Sequence, residues 1–146
     1  MTHDPVEVTV AWLRAFGGLS SLATNPERIA ATLGADVPRP ALYIPNATGA
    51  PLADASGLDH IYDWVVTVYA VAGRYGRGND YPDHPGAMAV ARQVVAACRQ
   101  VADGAAWPDP ASGATLLGAE VISLTRDTDA GGNGLVTMTL DVRIAE

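Results

Sequence analysis

The chain has one cysteine, one phenylalanine and only nine basic residues. A lone cysteine, Cys98, excludes an internal disulfide and any metal site made of cysteine alone. Nine basic residues against 16 acidic ones leave a net charge of −7. That balance argues against a protein held on nucleic acid by phosphate neutralisation, though not against one that nucleic acid must pass without sticking. Long apolar runs are also missing. Asp63, Arg74 and Arg92 interrupt the best candidates, so none nears the roughly 18 residues of a membrane span. Met1–Pro5 lacks the basic region and apolar core of a secretory signal, so secretion is not expected. There is no internal repeat and no low-complexity segment.

What is present is ordinary globular composition, with 49% hydrophobic and 17% charged residues over 146 positions. Length alone predicts one domain spanning residues 1–146. The chain is organised around the stretch Asp59–Asp103. From Asp59 to about Ala72, β-branched and aromatic residues predict a long strand. His60, Tyr62, Trp64, Val66, Val68 and Ala70 share one face, apolar enough to be the core. Ile61, Asp63, Val65, Thr67, Tyr69 and Val71 share the other, mixed face. Fourteen residues at about 3.3 Å each span roughly 46 Å, longer than the ~40 Å diameter of a compact domain this size. The strand therefore projects, unless a bulge breaks it. Gly73–His84 reads as a polar, glycine-rich loop. Pro85–Asp103 reads as an amphipathic helix, with Ala87, Ala91, Val94, Cys98 and Val101 on its apolar stripe and Gly104 just past its end. Cys98 on that stripe reads as a buried small hydrophobe.

Before this stretch, Asp4-Pro5 caps a short helix ended by Gly17-Gly18, with Glu7 three residues after the cap. Trp12 flanks its stripe. Leu19–Leu33 is ambiguous, with a helical turn at Asn25-Pro26-Glu27 that points Ile29, Ala30 and Leu33 inward. Pro38 and Pro40 force Arg39 extended. Ala41–Ile44 is a short strand stopped by Pro45-Asn46, and Asn46–Leu58 an exposed connection. After the stretch, Ala105–Gly113 is a turn-rich crossing and Leu116–Arg126 a moderate strand. Asp127–Gly134 is a turn whose best hairpin signal is Asn133-Gly134. Leu135–Ile144 is the cleanest strand, with Val136, Met138, Leu140, Val142 and Ile144 on one face. The order predicts an α+β fold: a largely antiparallel sheet of about four strands, with the long helix and the N-terminal helix on one face.

No catalytic motif stands out. Gly73-Arg74-Tyr75-Gly76-Arg77-Gly78 lacks the Gly-Lys-Ser/Thr of a phosphate loop. It reads as a partner contact, a plain exposed loop or a small-molecule site, with the arginine and tyrosine content of interface hot spots. Asp80, Asp83 and His84 lack the further ligand a metal needs, and Asp83 or His84 reads as a helix cap. His3 and His60 read as structural or solvated. Asp127, Asp129 and Asn133-Gly134 have the wrong register for a calcium loop. No Ser, Cys or Thr has a locally signalled base. The chain is read as a non-enzyme without cofactor or metal. Asp63, Thr67, Tyr69, Arg74, Tyr75, Arg77 and Tyr81 are the candidate subunit or partner contacts, with Asp63 suited to an inter-subunit ion pair or to solvent.

Over nearly its whole length the chain resembles the tail terminator (tail-completion) and minor tail proteins of long-tailed bacteriophages. The resemblance is one of pattern. It is carried by the short N-terminal helix, the strand Arg39-Pro40-Ala41-Leu42-Tyr43-Ile44 and the central Tyr62–Ala70. The Ala- and Val-rich helix Met88–Val101 and the closing strand Leu135–Ile144 complete it. The Gly73–His84 loop is longer and richer in glycine than that family's pattern. The resemblance implies a ring, a hexamer, at the head-proximal end of a tail tube. Such a ring ends tube polymerisation and docks the head-side connector, and DNA passes through it without specific binding. It implies a virion tail protein assembled in the host cytoplasm, with no catalytic residue, cofactor or membrane. The alternatives are a head–tail connector or other minor tail component and, from another class, a small cytoplasmic enzyme or ligand-binding α+β domain.

Overall fold

The computed structural model describes residues 3–51, 60–102 and 104–146. It is an α+β fold. Among the described residues three α-helices, α1 (Pro5–Ala15), α2 (Ser20–Ala23) and α3 (His84–Ala102), accompany seven strands. These are β1 (Ile29–Ala30), β2 (Ala41–Pro51), β3 (Ile61–Tyr75), β4 (Tyr81–Pro82), β5 (Trp107–Pro108), β6 (Thr115–Thr128) and β7 (Gly134–Ala145). The sheet order is β1-β2-β3-β7-β6-β5, with β4 paired to β3 off this path. The four long strands, β2, β3, β7 and β6, are antiparallel to one another. The three added strands are two residues each, and β1 runs parallel to β2, so the sheet is mixed.

One core lies between the helices and the even face of β3 and β7. Val66, Val68, Ala70, Val136, Met138, Leu140, Val142 and Ile144 are all fully buried there. On α3 the expected stripe of Ala87, Ala91, Val94, Cys98 and Val101 is buried against them, and on α1 Val8, Val10, Trp12 and Leu13 are. The Asp4 carboxylate accepts from the Val6 N–H at 2.9 Å to cap α1. The Asp83 carboxylate accepts from the Gly86 N–H at 3.0 Å at the start of α3, the capping role read from sequence.

Several boundaries differ from the sequence reading. Ile29 and Ala30 are not helical; a 3-10 turn at Pro26–Arg28 delivers them into β1 beside Leu42 and Tyr43. Pro45 does not stop β2. It lies within the register shift between Tyr43 and Asn46, where a bulge leaves the proline's missing N–H without cost. Residues 46–51 are therefore strand, not connection, while Leu52–Asp59 and Asp103 lie outside the described residues. β3 runs three residues past Ala72, and Tyr81–Pro82 returns beside it, so the expected Gly73–His84 loop is largely a hairpin. The β6–β7 turn closes between Asp129 and Asn133, the Asp129 N–H donating to the Asn133 carbonyl at 3.1 Å, and Gly132 rather than Gly134 takes the left-handed conformation (φ 80°).

Candidate functional site

The odd face of the sheet has no described helix over it. Its rungs are in register across four strands: Tyr43–Tyr69–Thr137–Thr125, then Asn46–Thr67–Thr139–Ser123. Tyr69 stacks on Tyr43 at 5.6 Å between ring centroids. Val65 between these rungs and the charged end is 45% exposed. Further toward the β3 N-terminus the rungs turn charged. Val65 aligns with Asp141 and Glu120, and Asp63 with Arg143 and Gly118. Asp63 pairs within its own chain, accepting from Arg143 Nε at 3.0 Å. Burial raises the Asp141 pKa above its ordinary value, and the like charges of Asp63 and Glu120 add to this while Arg143 opposes it.

At the other end β3 leaves the sheet. Its last partners are Ala41 on β2, opposite Val71, and Gly134 on β7, opposite Gly73. Arg74 and Tyr75 pair only with Pro82 and Tyr81 of β4. The tip between them is defined by backbone geometry. Gly76, Gly78 and Asn79 are all left-handed, at φ 91°, 78° and 57°, and the Asn79 N–H donates to the Gly76 carbonyl at 3.0 Å. The rings of Tyr75 and Tyr81 pack on each other at 5.8 Å yet remain 50% and 59% exposed. Arg74 and Arg77 are exposed beside them. The seven contact candidates thus fall into two groups: Asp63, Thr67 and Tyr69 on the open face, and Arg74, Tyr75, Arg77 and Tyr81 on the projecting hairpin.

A groove of about 710 Å³ went unread in the sequence. It straddles the edge of β6 at Gly118, where no side chain fills the space. Val95, Cys98 and Ala102 of α3 line it with Ala119 and Val121 on the helix side of β6, and Asp63, Glu120, Asp141 and Arg143 line it from the odd face, around the edge at Gly118. Burial pushes the Cys98 thiol up to about 12, so Cys98 contributes an inert wall rather than a nucleophile. β5 covers only Thr115 and Leu116, leaving Leu117–Thr128 of β6 without an outer partner among the described residues. Register shifts at Leu117 and Ile122 mark two bulges, and these residues are 37% and 57% exposed. The sequence signal was the doublets Leu116-Leu117 and Val121-Ile122, each breaking strict alternation.

A second cavity, of about 740 Å³, lies at the start of α1. His3, Glu7, Arg14, Asp109, Ser112 and Glu146 contribute to its lining. The His3 side chain is buried against Tyr62 and Trp64, with Nδ1 3.0 Å from the Glu146 carboxylate. The hydrogen bond from the His3 backbone N–H leads the effects that lower the Glu146 pKa. Ser112 donates to the Asp109 carboxylate at 2.6 Å, and Asp109 also accepts from the Ala111 N–H at 3.1 Å, so the pair holds the turn. Among the described residues no group of three His, Cys, Asp or Glu is placed to hold a metal ion. No described helix is long and apolar enough to cross a membrane. Comparison of the chain with family models, curated proteins and solved structures found no match.

Proposed function

We infer that the chain is a structural ring protein of a bacteriophage tail, acting as a terminator at the head-proximal end of the tube. The observation that carries this reading is a pair of chemically distinct exposed features at opposite ends of one long strand. β3 presents a projecting Tyr/Arg hairpin at one end and a charged groove beside an open sheet edge at the other. Surfaces that differ from each other associate head to tail, and a head-to-tail contact that closes makes a ring. An unpaired strand edge is suited to strand addition by a neighbour. The uncovered face, hydroxyl-rich at its centre, and the net charge of −7 suit a channel that DNA traverses without being retained. The pattern resemblance to tail terminators selects this role among ring proteins, with the tube protein and the head-side connector as partners.

The role is tested by deleting the gene in the phage that carries it. Overlong or headless tails are the expected outcome, and tails of ordinary length joined to heads would contradict it. The second reading, a small ligand-binding α+β domain, is favoured by the cavity at the start of α1, whose lining includes Glu7, Arg14 and Glu146. A monomer whose melting temperature rises with a small metabolite, and no longer does after Arg14→Ala, would select that reading instead.

A further inference from the structure

We propose that the β3–β4 hairpin of one copy seats in the α3–β6 groove of the next copy. This rests on the ring reading and names its contact. The hairpin has a defined turn geometry. Three left-handed residues and a closing hydrogen bond shape its tip, and beyond Gly73 its backbone pairs only within the hairpin, with the Arg74 guanidinium lying beside Gly132 of the β6–β7 turn. What it displays is two packed tyrosine rings flanked by Arg74 and Arg77. Tyrosine and arginine are the residue types that anchor interfaces when a partner desolvates them.

The groove has the matching chemistry. Its apolar side, from Val95, Cys98, Ala102, Leu117 and Val121, suits aromatic rings, and about 710 Å³ falls in the range of cavities that hold ligands of that size. On its wall Arg143 is engaged by Asp63, while neither Glu120 nor Asp141 has an ion-pair partner among the described residues. Arg99 also lines the groove, on the α3 side. Two arginines arriving with the hairpin would meet Glu120 and Asp141 across it. A copy cannot fill its own groove. Asp63 and Tyr75 stand twelve positions apart on β3, roughly 40 Å along an extended strand. The occupant is therefore a second copy, and the contact is heterologous.

Two complementary charge-swap variants test the contact. The first is Arg74→Glu with Arg77→Glu, and the second is Glu120→Arg with Asp141→Arg. Circular dichroism checks their folding, and light scattering reads their mass alone and mixed. Each variant alone places like charges across the contact, and its self-association is expected to weaken about a hundredfold or more. The equimolar mixture pairs each altered surface with an opposite charge, so it is expected to restore the wild-type mass in alternating assemblies. Variants that assemble as well as wild type, or a mixture that stays dissociated, would overturn the contact and leave the ring reading standing. A wild type that stays monomeric at all concentrations would overturn the contact and remove its premise. Should the second variant fail to fold, Tyr75→Ala with Tyr81→Ala replaces it. Undiminished assembly of that variant would equally overturn the proposal.

Discussion

At the scale of single residues, the fold depends on contacts that composition does not reveal. Gly134 opens β7 directly under the start of α3, and a Cβ there would overlap the backbone of Asp83 and His84. Because backbone cannot swing aside as a side chain does, Gly134→Ala is expected to cost about 1–3 kcal/mol, read as a lowered midpoint of denaturant unfolding. Leu140 and Val94 are fully buried in the core. Leu140→Asp or Val94→Asp buries an unpaired charge and is expected to unfold the domain; a soluble, cooperatively melting variant would show that the core face is assigned wrongly. Asp129 accepts from the backbone of Gly131 and Asn133 and from the Asn133 side chain. Desolvation by burial opposes the shift, but these bonds, with Arg39 nearby, outweigh it and hold the carboxyl below its ordinary value. A lowered carboxyl pKa means the folded state binds this proton less readily than the unfolded state. Its stabilisation is present above about pH 4 and is lost as pH falls through the folded pKa. Asp129→Ala is expected to lower stability at neutral pH and to flatten the acid limb of the stability curve, measured by urea unfolding from pH 3 to 7.

At the scale of elements, the hairpin and the groove divide what a sequence shows from what it hides. Replacing Gly76–Asp80 by a two-residue type I′ turn is expected to leave the melting temperature within a few degrees, because the tip touches no core residue. The same change is expected to abolish self-association; a collapse of stability instead would make the tip structural. The strong periodicities were legible. Val136 to Ile144 at spacing two and Ala87 to Val101 at helical spacing both mark buried faces, and both are buried. What misled was punctuation. Pro45 reads as a strand stop, but a bulge absorbs it and β2 runs six residues further. Gly73 and Gly76 read as a loop, but positive φ at glycine is also how a long strand turns into a tight hairpin. Ile29-Ala30 followed a helical turn and read as its continuation, because two residues are too few to show a strand period. The candidate residues on β3 were legible as a mixed face. The groove was not, since it joins α3 to β6 across some twenty positions of chain, and only tertiary packing brings Val95 to Leu117.

At the scale of the whole molecule, the helices pack on one face of the sheet, and the other face carries no helix among the described residues. The even face, with α1 and α3, holds the domain together. The odd face, the outer edge of β6 and the β3–β4 hairpin stay outside that core. A net charge of −7 keeps copies apart unless a contact offsets it locally, so assembly is expected to be specific and sensitive to salt at the hairpin and groove. The most direct measurement of the central claim is the mass of the purified chain in solution by light scattering, with particles imaged in negative stain. The expected result is one species near six times the 15.1 kDa chain mass, seen end-on as a closed ring with a central opening. A stable monomer or a two-fold dimer at every concentration, with no ring in the images, would contradict it.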